Sequence, residues 1–595
     1  MFPARINLGN ILDSHGQLEE AVHQYRAAHR AQPRAQLAAL NLGNTLNRLS
    51  LHEEAAEALS TAVQIDPSHW QASLNLGNTF CALAQLSQAT NLYTQLVRAH
   101  PHISSYIFRL AYLQLIGGQR STAAATAADC LEVEQHHGPC MWVHGIATGG
   151  LDEKGIGAPS FARLSSLMAS TDENELIETL YKPLRDANLV KIGNWDSAGN
   201  KFELAMSMRR LNDTKGKGTG KGGIVDFYPR TFAMPQDYEQ LQALKVAEPD
   251  TLWMAKPSGS KNGLGIKVLT DPTEAPQMKG ILVQQYVYPP FLVSGLKFNF
   301  RLYVIVTDVE PLRLYVYDEA MLYFSGEKFN AEDTGTLASH ITNRGYTDAP
   351  RFFPDAIPFE GHPDAEEVDR STRTLSAFMQ YLEEEGHDAD LMWSEVKQVI
   401  FKTFAAALPQ LRRNWKKLAP GTSSRYFLPR ITGLDVHLDA SLKPWLLEVN
   451  PNPALVARKR IRSRVMRALW TMVTPGAMES VVWPDGVEGL SDDAQRWESE
   501  AAKGVREYIE KTARISKDCV KEDGCACLHP AMADKIVISE LEWLKRGRFE
   551  RIFPTSSSNA ELLGGKINVC SVHWHSLLRQ RMPINPGGAQ ERDEL

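Results

Sequence analysis

The sequence predicts a multidomain chain, in which an N-terminal α-solenoid is followed by an α+β domain. Three observations support this fold class. A 34-residue repeat fills the first 140 residues, strand-like and helix-like runs interleave after residue 224, and 595 residues suffice for several domains. We place the solenoid at 1–140, a linker at 141–160, the α+β domain at 161–475 and a C-terminal extension at 476–595. We expect the extension to pack partly on the α+β domain and to end in a poorly ordered tail.

The repeat is visible in three series of residues that step by 34. Asn-Leu-Gly-Asn begins at Asn7, Asn41 and Asn75, prolines stand at Pro33, Pro67 and Pro101, and alanines stand at Ala21, Ala55, Ala89 and Ala123. This is the tetratricopeptide period. The small residues allow the two helices of each hairpin to pack closely, and the proline ends the second helix. We favour a concave groove for a protein or peptide partner over a solenoid that only positions the next domain or mediates oligomers.

The composition argues against two classes of partner. The net charge of -6 argues against a uniformly basic nucleic-acid binder, and no apolar run is long enough to cross a membrane. The seven cysteines are expected to be reduced, as in a cytosol. One cysteine–histidine cluster has zinc-type ligands, but its spacing matches no paired pattern, so free cysteines and surface histidines are preferred. Its members are Cys519, Cys525, Cys527, His529, Cys570, His573 and His575.

The α+β assignment comes from the alternation of element types after residue 224. Strands are predicted at 281–286, 301–308, 312–317 and 445–449, and helices at 370–385 and 394–417. The order is not a strict βαβ series, so α+β is favoured over a doubly wound sheet. A segment of alternating lysine and glycine at 215–223 lacks the Walker spacing, and an exposed loop is favoured over a phosphate loop there.

One lysine is followed by a glycine-rich loop, which is a pattern typical of phosphate binding. An apolar run delivers Lys256, the loop contains Gly263 and Gly265, and a strand-like segment begins at Ile266. Glycines let backbone N–H groups approach phosphate oxygens closely. Lys256 supplies a positive charge beside them.

Two acidic residues and an asparagine lie on neighbouring predicted strands. Asp435 is on the first strand, and Glu448 and Asn450 are on the next. Glu448 and Asn450 are two residues apart, so their side chains point to the same face. Carboxylate and amide oxygens are ligands for Mg²⁺, and like charges on one buried face need a cation. The sequence therefore predicts a magnesium site, with a satisfied polar hairpin as the alternative.

Several blocks, in this order along the chain, resemble those of the tubulin–tyrosine ligase-like family. They are residues 227–235, 256–266, 283–290, 295–304, 340–343, 444–453 and 547–554. The resemblance implies an ATP-grasp fold, with ATP between two α+β lobes. It also implies a ligase that activates a carboxylate as an acyl phosphate, which the amine of a free amino acid then attacks.

The resemblance also implies a role for each residue inside the matching blocks. ATP would be bound at its phosphates by Lys256 and Lys297 with the loop residues Gly263, Gly265 and Ile266, at adenine by Gln284, Gln285, Tyr286 and Val287, and at other points of the nucleotide by Asn299, Thr342 and Asn343. Mg²⁺ would be held by Asp435, Glu448 and Asn450. The acyl phosphate and the amino acid would be clamped by Arg301 and Arg313, with Lys402 a further candidate.

Two positions depart from the family. Asn299 replaces its usual aspartate and Gln285 a frequent lysine, and both changes are expected to weaken ATP binding without abolishing it.

Three hypotheses about function remain open at this stage. The first is a ligase that adds glutamate to tubulin, the second is the same chemistry on another protein recruited by the repeats, and the third is a non-catalytic scaffold. Glutamate, glycine and tyrosine are not separated by these blocks, and glutamate is preferred on family frequency alone. A basic segment at 458–464, with Arg467, would attract acidic tubulin tails, although a solvated helix face explains it equally well. The expected location is the cytoplasm, on microtubules or cilia.

Overall fold

The computed structural model covers most of the repeats and the body of the α+β domain. It describes residues 2–14, 17–149, 196–215, 225–258, 265–342, 372–418, 429–451, 530–544, 549–554 and 566–581 without interruption, and shorter pieces or single residues between them. Among the described residues, no helix combines the length and the apolarity that a membrane span requires.

Helical hairpins form the N-terminal part of the chain. The helices are α1 (Phe2–Ser14), α2 (Leu18–Ala31), α3 (Gln36–Arg48), α4 (His52–Ile65), α5 (Trp70–Ala82), α6 (Leu86–Ala99), α7 (Ser104–Ile116), α8 (Arg120–Val133) and α9 (Gly138–Gly149). Helix α9 extends into the segment that the sequence assigned to a linker. The repeated glycines pack as expected, since a Cβ built at Gly43 would lie 2.5 Å from Leu59 Cγ. The four repeated alanines of the second helices are completely buried.

The last hairpins share one hydrophobic core with the α+β domain. Residues 106–116 of α7 are all buried, although an isolated amphipathic helix would leave one face in water. Tyr112 and Phe108 belong to the same cluster of buried side chains as Val304 and Leu434 of the α+β domain. The final repeat is therefore integrated into the core of the α+β domain.

Two antiparallel sheets build the α+β domain. The smaller has the order β1-β4-β2-β3 and contains β1 (Thr231–Ala233), β2 (Trp253–Pro257), β3 (Lys267–Leu269) and β4 (Ile281–Gln285). The larger has eight strands, with the order β11-β10-β6-β7-β14 and with β5, β8 and β9 attached to one side. These are β5 (Leu292–Val293), β6 (Leu296–Val309), β7 (Leu312–Tyr317), β8 (Met321–Lys328), β9 (Thr372–Thr374), β10 (Arg430–Leu438), β11 (Pro444–Asn450) and β14 (Phe549–Phe553). A separate two-stranded pair joins β12 (Arg514–Ile515) and β13 (Cys527–Leu528).

The remaining helices pack around these sheets. They are α10 (Asp196–Gly199), α11 (Lys201–Lys215), α12 (Tyr238–Ala247), α13 (Leu337–His340), α14 (Leu375–Glu384), α15 (Ala389–Leu418), α16 (Pro530–Leu544) and α17 (Lys566–Arg581). The predicted order of an α-solenoid followed by an α+β domain is thus confirmed. The helix predicted at 370–385 is wrong at its start, where Thr372–Thr374 pairs with β8 as a strand. The threonines explain this, because β-branched side chains favour strands, and Thr374 then caps α14 by accepting from Ala377 N.

The C-terminal extension completes the large sheet. Strand β14 pairs with β7, and Glu550 on it accepts hydrogen bonds from Trp393 Nε1 and Lys397 Nζ of α15, each at 2.9 Å. Buried Arg551 donates to Glu540 Oε1 at 3.0 Å and to the hydroxyl of Tyr315 at 3.2 Å. These contacts fasten the extension to β7 and to α15.

The prediction of free cysteines and surface histidines is wrong at several positions. Cys130 is disulfide-bonded to Cys140, and Cys525 to Cys570. His575 is buried against Glu540, with Nδ1 2.9 Å from Oε2, whereas His573 is exposed as expected. The sequence could not show these pairings, because partners 45 residues apart are brought together only by helix packing. Cys519 and His529 lie outside the described residues.

Candidate functional site

Three polar side chains converge where β10 and β11 pair. Asp435 stands opposite Glu448, and Gly433 stands opposite Asn450. The Asn450 amide nitrogen lies 3.4 Å from Asp435 Oδ2 and 3.3 Å from Glu448 Oε1. The two carboxylates and the amide that the sequence placed on neighbouring strands therefore form one cluster.

Arg301 holds the first of these carboxylates from the next strand of the sheet. It stands opposite Asp435 in the β6–β10 register, and its Nε and Nη2 donate to the two carboxylate oxygens, the Nη2 bond being 2.9 Å long. This two-point geometry suits the planar guanidinium fork. Only 5% of the Asp435 side chain is exposed, so the pair is shielded from water. Asp435 is thereby fixed in one orientation.

A glycine makes room for this arginine. A Cβ built at Gly433 would lie 2.9 Å from Arg301 Cδ and 2.9 Å from Pro453 Cβ, which is too close for either neighbour. We predict that Gly433→Ala displaces the guanidinium from Asp435, lowers the unfolding free energy by about 1–3 kcal/mol and reduces activity. Urea unfolding and ligation assays test this. Gly335→Ala is the control, because the nearest atom there is 3.4 Å away, and equal losses in both variants would contradict the prediction.

The charges around Glu448 differ from those around Asp435. Burial raises the pKa of Asp435, the Glu448 carboxylate adds to the effect, and Arg301 only partly offsets it. Burial would also raise the pKa of Glu448, but the cations Lys201, Arg301 and Lys256 together hold it below its usual range. Lys201 Nζ lies 3.4 Å from Glu448 Oε2. At neutral pH the cluster therefore carries negative charge on a face surrounded by cations.

Two lysines, half-buried Lys256 on β2 and buried Lys297 on β6, lie close to one another in the same domain. Burial lowers the pKa of Lys256 to about 8, and its Nζ donates to Gln284 Oε1 at 2.5 Å. Burial and the nearby Lys256 charge lower the pKa of Lys297 to about 7. Lys297 Nζ donates to the Tyr286 hydroxyl at 2.8 Å and to the His340 carbonyl at 3.2 Å. Two neighbouring lysines, one half-buried and one buried, whose charged forms burial disfavours, favour an anionic ligand.

The segment after β4, predicted to line adenine, is partly engaged within the protein. The N–H groups of Gln285 and Tyr286 donate to the carbonyls of Arg230 and Leu252, at 2.8 and 2.9 Å. The side-chain oxygen of Gln285 accepts from Arg230 Nε at 2.8 Å. Gln285 thus acts as a partner of Arg230 here, and Val287 follows at the start of the connection to β5.

The remaining predicted nucleotide contacts lie in the same region. Asn299 on β6 is buried, and its Oδ1 accepts a hydrogen bond from the hydroxyl of Thr342. Gly263 and Gly265 both have positive φ, at 75° and 74°, which glycine tolerates best, and Ile266 leads into β3. Asn343 lies outside the described residues, and so do residues 458–463 of the basic segment at 458–464 and Arg467.

Two predicted catalytic residues are placed elsewhere. Arg313 is buried beside Asp308, with Nη1 3.5 Å from Oδ2, at the far end of the β6–β7 hairpin. Seven residues along β6 separate Asp308 from Arg301, roughly 23 Å at 3.3 Å per residue. Lys402 on α15 pairs with Asp226 at 3.2 Å. The structure therefore does not bring Arg313 to the carboxylate cluster, and it gives Lys402 a partner of its own.

The site contains residues that the sequence analysis did not select. Lys201 begins α11 and contacts Glu448, Tyr323 on β8 lies beneath Arg301 with its ring centroid 5.9 Å from Cζ, and His340 accepts or donates at both ring nitrogens. Lys201 stands in no recognisable block, so no signal in the sequence marked it. Tyr323 could have been found from the β6–β8 register, where it stands opposite Asn299.

The cluster has the donor chemistry that a divalent cation requires. Asp435 Oδ2 and Glu448 Oε1 both approach the same amide of Asn450. The amide turns its NH₂ group to the two anions, and a half-turn would present its oxygen instead, as a third hard ligand. The residues present therefore fit a magnesium ion.

Comparisons with known proteins agree with this geometry. Residues 193–485 match the profile of the Tubulin-tyrosine ligase family, and residues 6–69 match a tetratricopeptide repeat profile. The chain is 27% identical to Tubulin monoglutamylase TTLL4 of Homo sapiens over 385 residues, which are 61% of this chain and 31% of the relative. It is 33% identical over 234 residues to a probable beta-tubulin polyglutamylase of Tetrahymena thermophila, covering 38% of this chain and 19% of the relative.

A third relative gives the same picture. Tubulin polyglutamylase TTLL6 of Mus musculus is 31% identical over 247 residues, covering 41% of this chain and 29% of the relative. The chain thus spans less than a third of the length of these relatives. The matched region contains both sheets except β14, and with them the carboxylate cluster, Lys256 and Lys297. The chain therefore contains, at residues 193–485, a domain that matches the tubulin-tyrosine ligase family, and tetratricopeptide repeats stand ahead of it.

Proposed function

We propose that the chain uses ATP to ligate glutamate to a carboxylate of a protein, and that this protein is tubulin. The observation that carries the proposal is the convergence of Asp435, Glu448 and Asn450, with Lys256 close enough for its charge to act on both carboxylates and on Lys297. The names of the relatives, which are tubulin mono- and polyglutamylases, support glutamate and tubulin. The cytoplasm, on microtubules or cilia, would be the corresponding location.

The residues would have separate roles in binding ATP and Mg²⁺. Lys256 and Lys297 would bind the phosphates of ATP, and an anionic phosphate would restore the positive charge that burial disfavours in both lysines. Asp435, Glu448 and Asn450 would hold Mg²⁺, which when bound offsets charge on the transferred phosphoryl group. Arg301 would keep Asp435 oriented and ionised through its two-point contact.

The chemistry would then proceed in two steps. The γ-phosphoryl group passes from ATP to the protein carboxylate, which releases ADP and forms an acyl phosphate. The glutamate amine attacks that carbonyl, loses a proton, and expels inorganic phosphate as the amide forms. The protein contributes positioning and electrostatic stabilisation to such transfers. The fixed cations and carboxylates of the site can supply both.

Incubation of the full chain with tubulin, ATP, Mg²⁺ and one labelled amino acid at a time tests the proposal. We expect labelled glutamate on tubulin, much less glycine or tyrosine, and a loss of labelling on tubulin that lacks its acidic tails. ATP-dependent labelling of a different protein captured by the repeats would keep the chemistry and replace the substrate. No ATP-dependent labelling with any of the three amino acids would contradict the proposal.

A further inference from the structure

The hairpin turns of the repeat array share an unusual backbone position. Ser50, Ala84 and Gly118 each connect the two helices of a hairpin and have φ of 60°, 57° and 80°. They are spaced by 34 residues, so they occupy the same place in successive repeats. This left-handed region favours glycine, because a side chain is strained there. Serine at position 50 therefore keeps a hydroxyl at a place where glycine would form the turn more easily.

That hydroxyl contacts the ligase domain. Asn200 Nδ2 donates to Ser50 Oγ at 3.0 Å, across 150 positions of sequence. The other end of the same amide caps α11, since Asn200 Oδ1 accepts from the N–H groups of Phe202 at 2.9 Å and Glu203 at 3.2 Å. Both ends of the Asn200 side chain are thus engaged, which fixes the start of α11 relative to the array.

The residues on either side of Asn200 touch the carboxylate cluster. A Cβ built at Gly199 would lie 2.5 Å from Pro451 Cγ, so the chain packs directly against the end of β11. Lys201 Nζ lies 3.4 Å from Glu448 Oε2. Glu448 Oε1 faces Asn450 instead, so its two oxygens have different neighbours. Lys201 thus contacts one oxygen of Glu448 while the other faces Asn450.

We propose that Lys201 is a positioning residue for Glu448, and that the repeat array sets the place of Lys201 through the Ser50–Asn200 hydrogen bond. The proposal rests on the proposed function, because it assigns to the array a part in building the cation site of the ligase. A protein that binds the array and shifts the turn at Ser50 would then change the affinity of the ligase for Mg²⁺ and nucleotide.

A second contact shows that repeats other than the last also touch the ligase domain. Glu19 of α2 packs on the turn before β4, where a Cβ built at Gly280 would lie 1.7 Å from its Oε1. The Gly280 carbonyl accepts from Ser258 N at 2.7 Å, at the start of the glycine-rich loop. The first repeat thus lies beside the start of the glycine-rich loop, and the second contacts the start of α11, next to Lys201.

The test compares Ser50→Gly with Ala84→Gly in the full chain. Both put glycine into the same left-handed turn, and both relieve strain, but only the first removes the hydroxyl. We expect Ser50→Gly to weaken calorimetric binding of ADP in the presence of Mg²⁺ about 3–10-fold, less than the 10–100-fold typical of a group bonded directly to a metal ligand, because Ser50 acts through Asn200 and Lys201. Ala84→Gly should bind like the wild type. Thermal unfolding should show neither variant less stable than the wild type.

Lys201 is tested in the same assay with two substitutions. Lys201→Met should weaken Mg²⁺-dependent ADP binding about 10–100-fold, and Lys201→Arg should restore much of it, because the positive charge remains. Equal ADP affinities of the two glycine variants, or wild-type affinity of Lys201→Met, would overturn the inference while leaving the proposed function intact. A wild-type chain that binds no ADP with Mg²⁺ would overturn both.

Discussion

Glu448→Gln is expected to reduce ATP-dependent ligation by at least about 10³-fold, because a metal ligand contributes several kcal/mol of charge stabilisation and each 1.36 kcal/mol is tenfold in rate. Glutamine keeps the shape of the side chain but removes the charge that Lys201 and the cation would share. The Mg²⁺ concentration needed for half-maximal rate should rise at the same time. Initial rates at a series of Mg²⁺ concentrations measure both effects.

Glu550→Gln is the matched control for that variant. Glu550 also lies on a strand, its side chain is 25% exposed as that of Glu448 is, and it also pairs with one lysine, Lys397. Glu550 lies on β14, away from the cluster. The Glu550→Gln protein should therefore lose a similar half-buried ion pair but keep its activity and its Mg²⁺ dependence. Comparable losses of activity in both variants would mean that Glu448 matters for folding and not for the cation.

Arg301→Met is expected to cost about 3–5 kcal/mol of unfolding free energy and to abolish ligation. The large cost arises because Asp435 would remain buried without its partner, and an uncompensated buried charge is far worse than the absence of the pair. Without the guanidinium the pKa of Asp435 would rise further, so the carboxylate would bind a proton instead of a cation. Urea unfolding measures the loss of unfolding free energy, and Mg²⁺-dependent ADP binding measures the loss of the cation site.

Arg313→Met provides the comparison for Arg301→Met. Its side chain is 4% exposed, against 17% for that of Arg301, and it pairs with a buried aspartate, Asp308, at the other end of the hairpin. Its removal should cost a similar unfolding free energy, but the protein that remains folded should bind ADP and Mg²⁺ like the wild type. If Arg313→Met lost ADP binding while Arg301→Met kept it, our assignment of Arg301 to the cation site would be wrong.

Much of this architecture can be predicted from the sequence because it depends on local periodicity. The 34-residue spacing gives the hairpins, and the two-residue spacing of Glu448 and Asn450 puts both side chains on one face of β11. The strand predicted at 312–317 coincides with β7. Such features need only the neighbours in the chain, so a pattern of residue types is sufficient to find them.

The parts that could not be predicted depend on contacts between distant segments. Arg313 stands in a promising position of the sequence, but the β6–β7 register pairs it with Asp308 and not with the cluster. Lys201 belongs to no recognisable block, and only the fold brings it to Glu448, 247 positions later. The contact between Ser50 and Asn200 is of the same kind. Sequence patterns therefore located the cluster and Arg301, but not Lys201 or the contact between Ser50 and Asn200.

A crystal of the full chain grown with Mn²⁺ and a non-hydrolysable ATP analogue tests the central claim most directly, since Mn²⁺ replaces Mg²⁺ at oxygen sites and scatters anomalously. We expect an anomalous peak about 2.0–2.3 Å from oxygens of Asp435, Glu448 and Asn450, with the analogue's phosphates on its other side. A bound analogue whose Mn²⁺ peak lies away from these three side chains would contradict it.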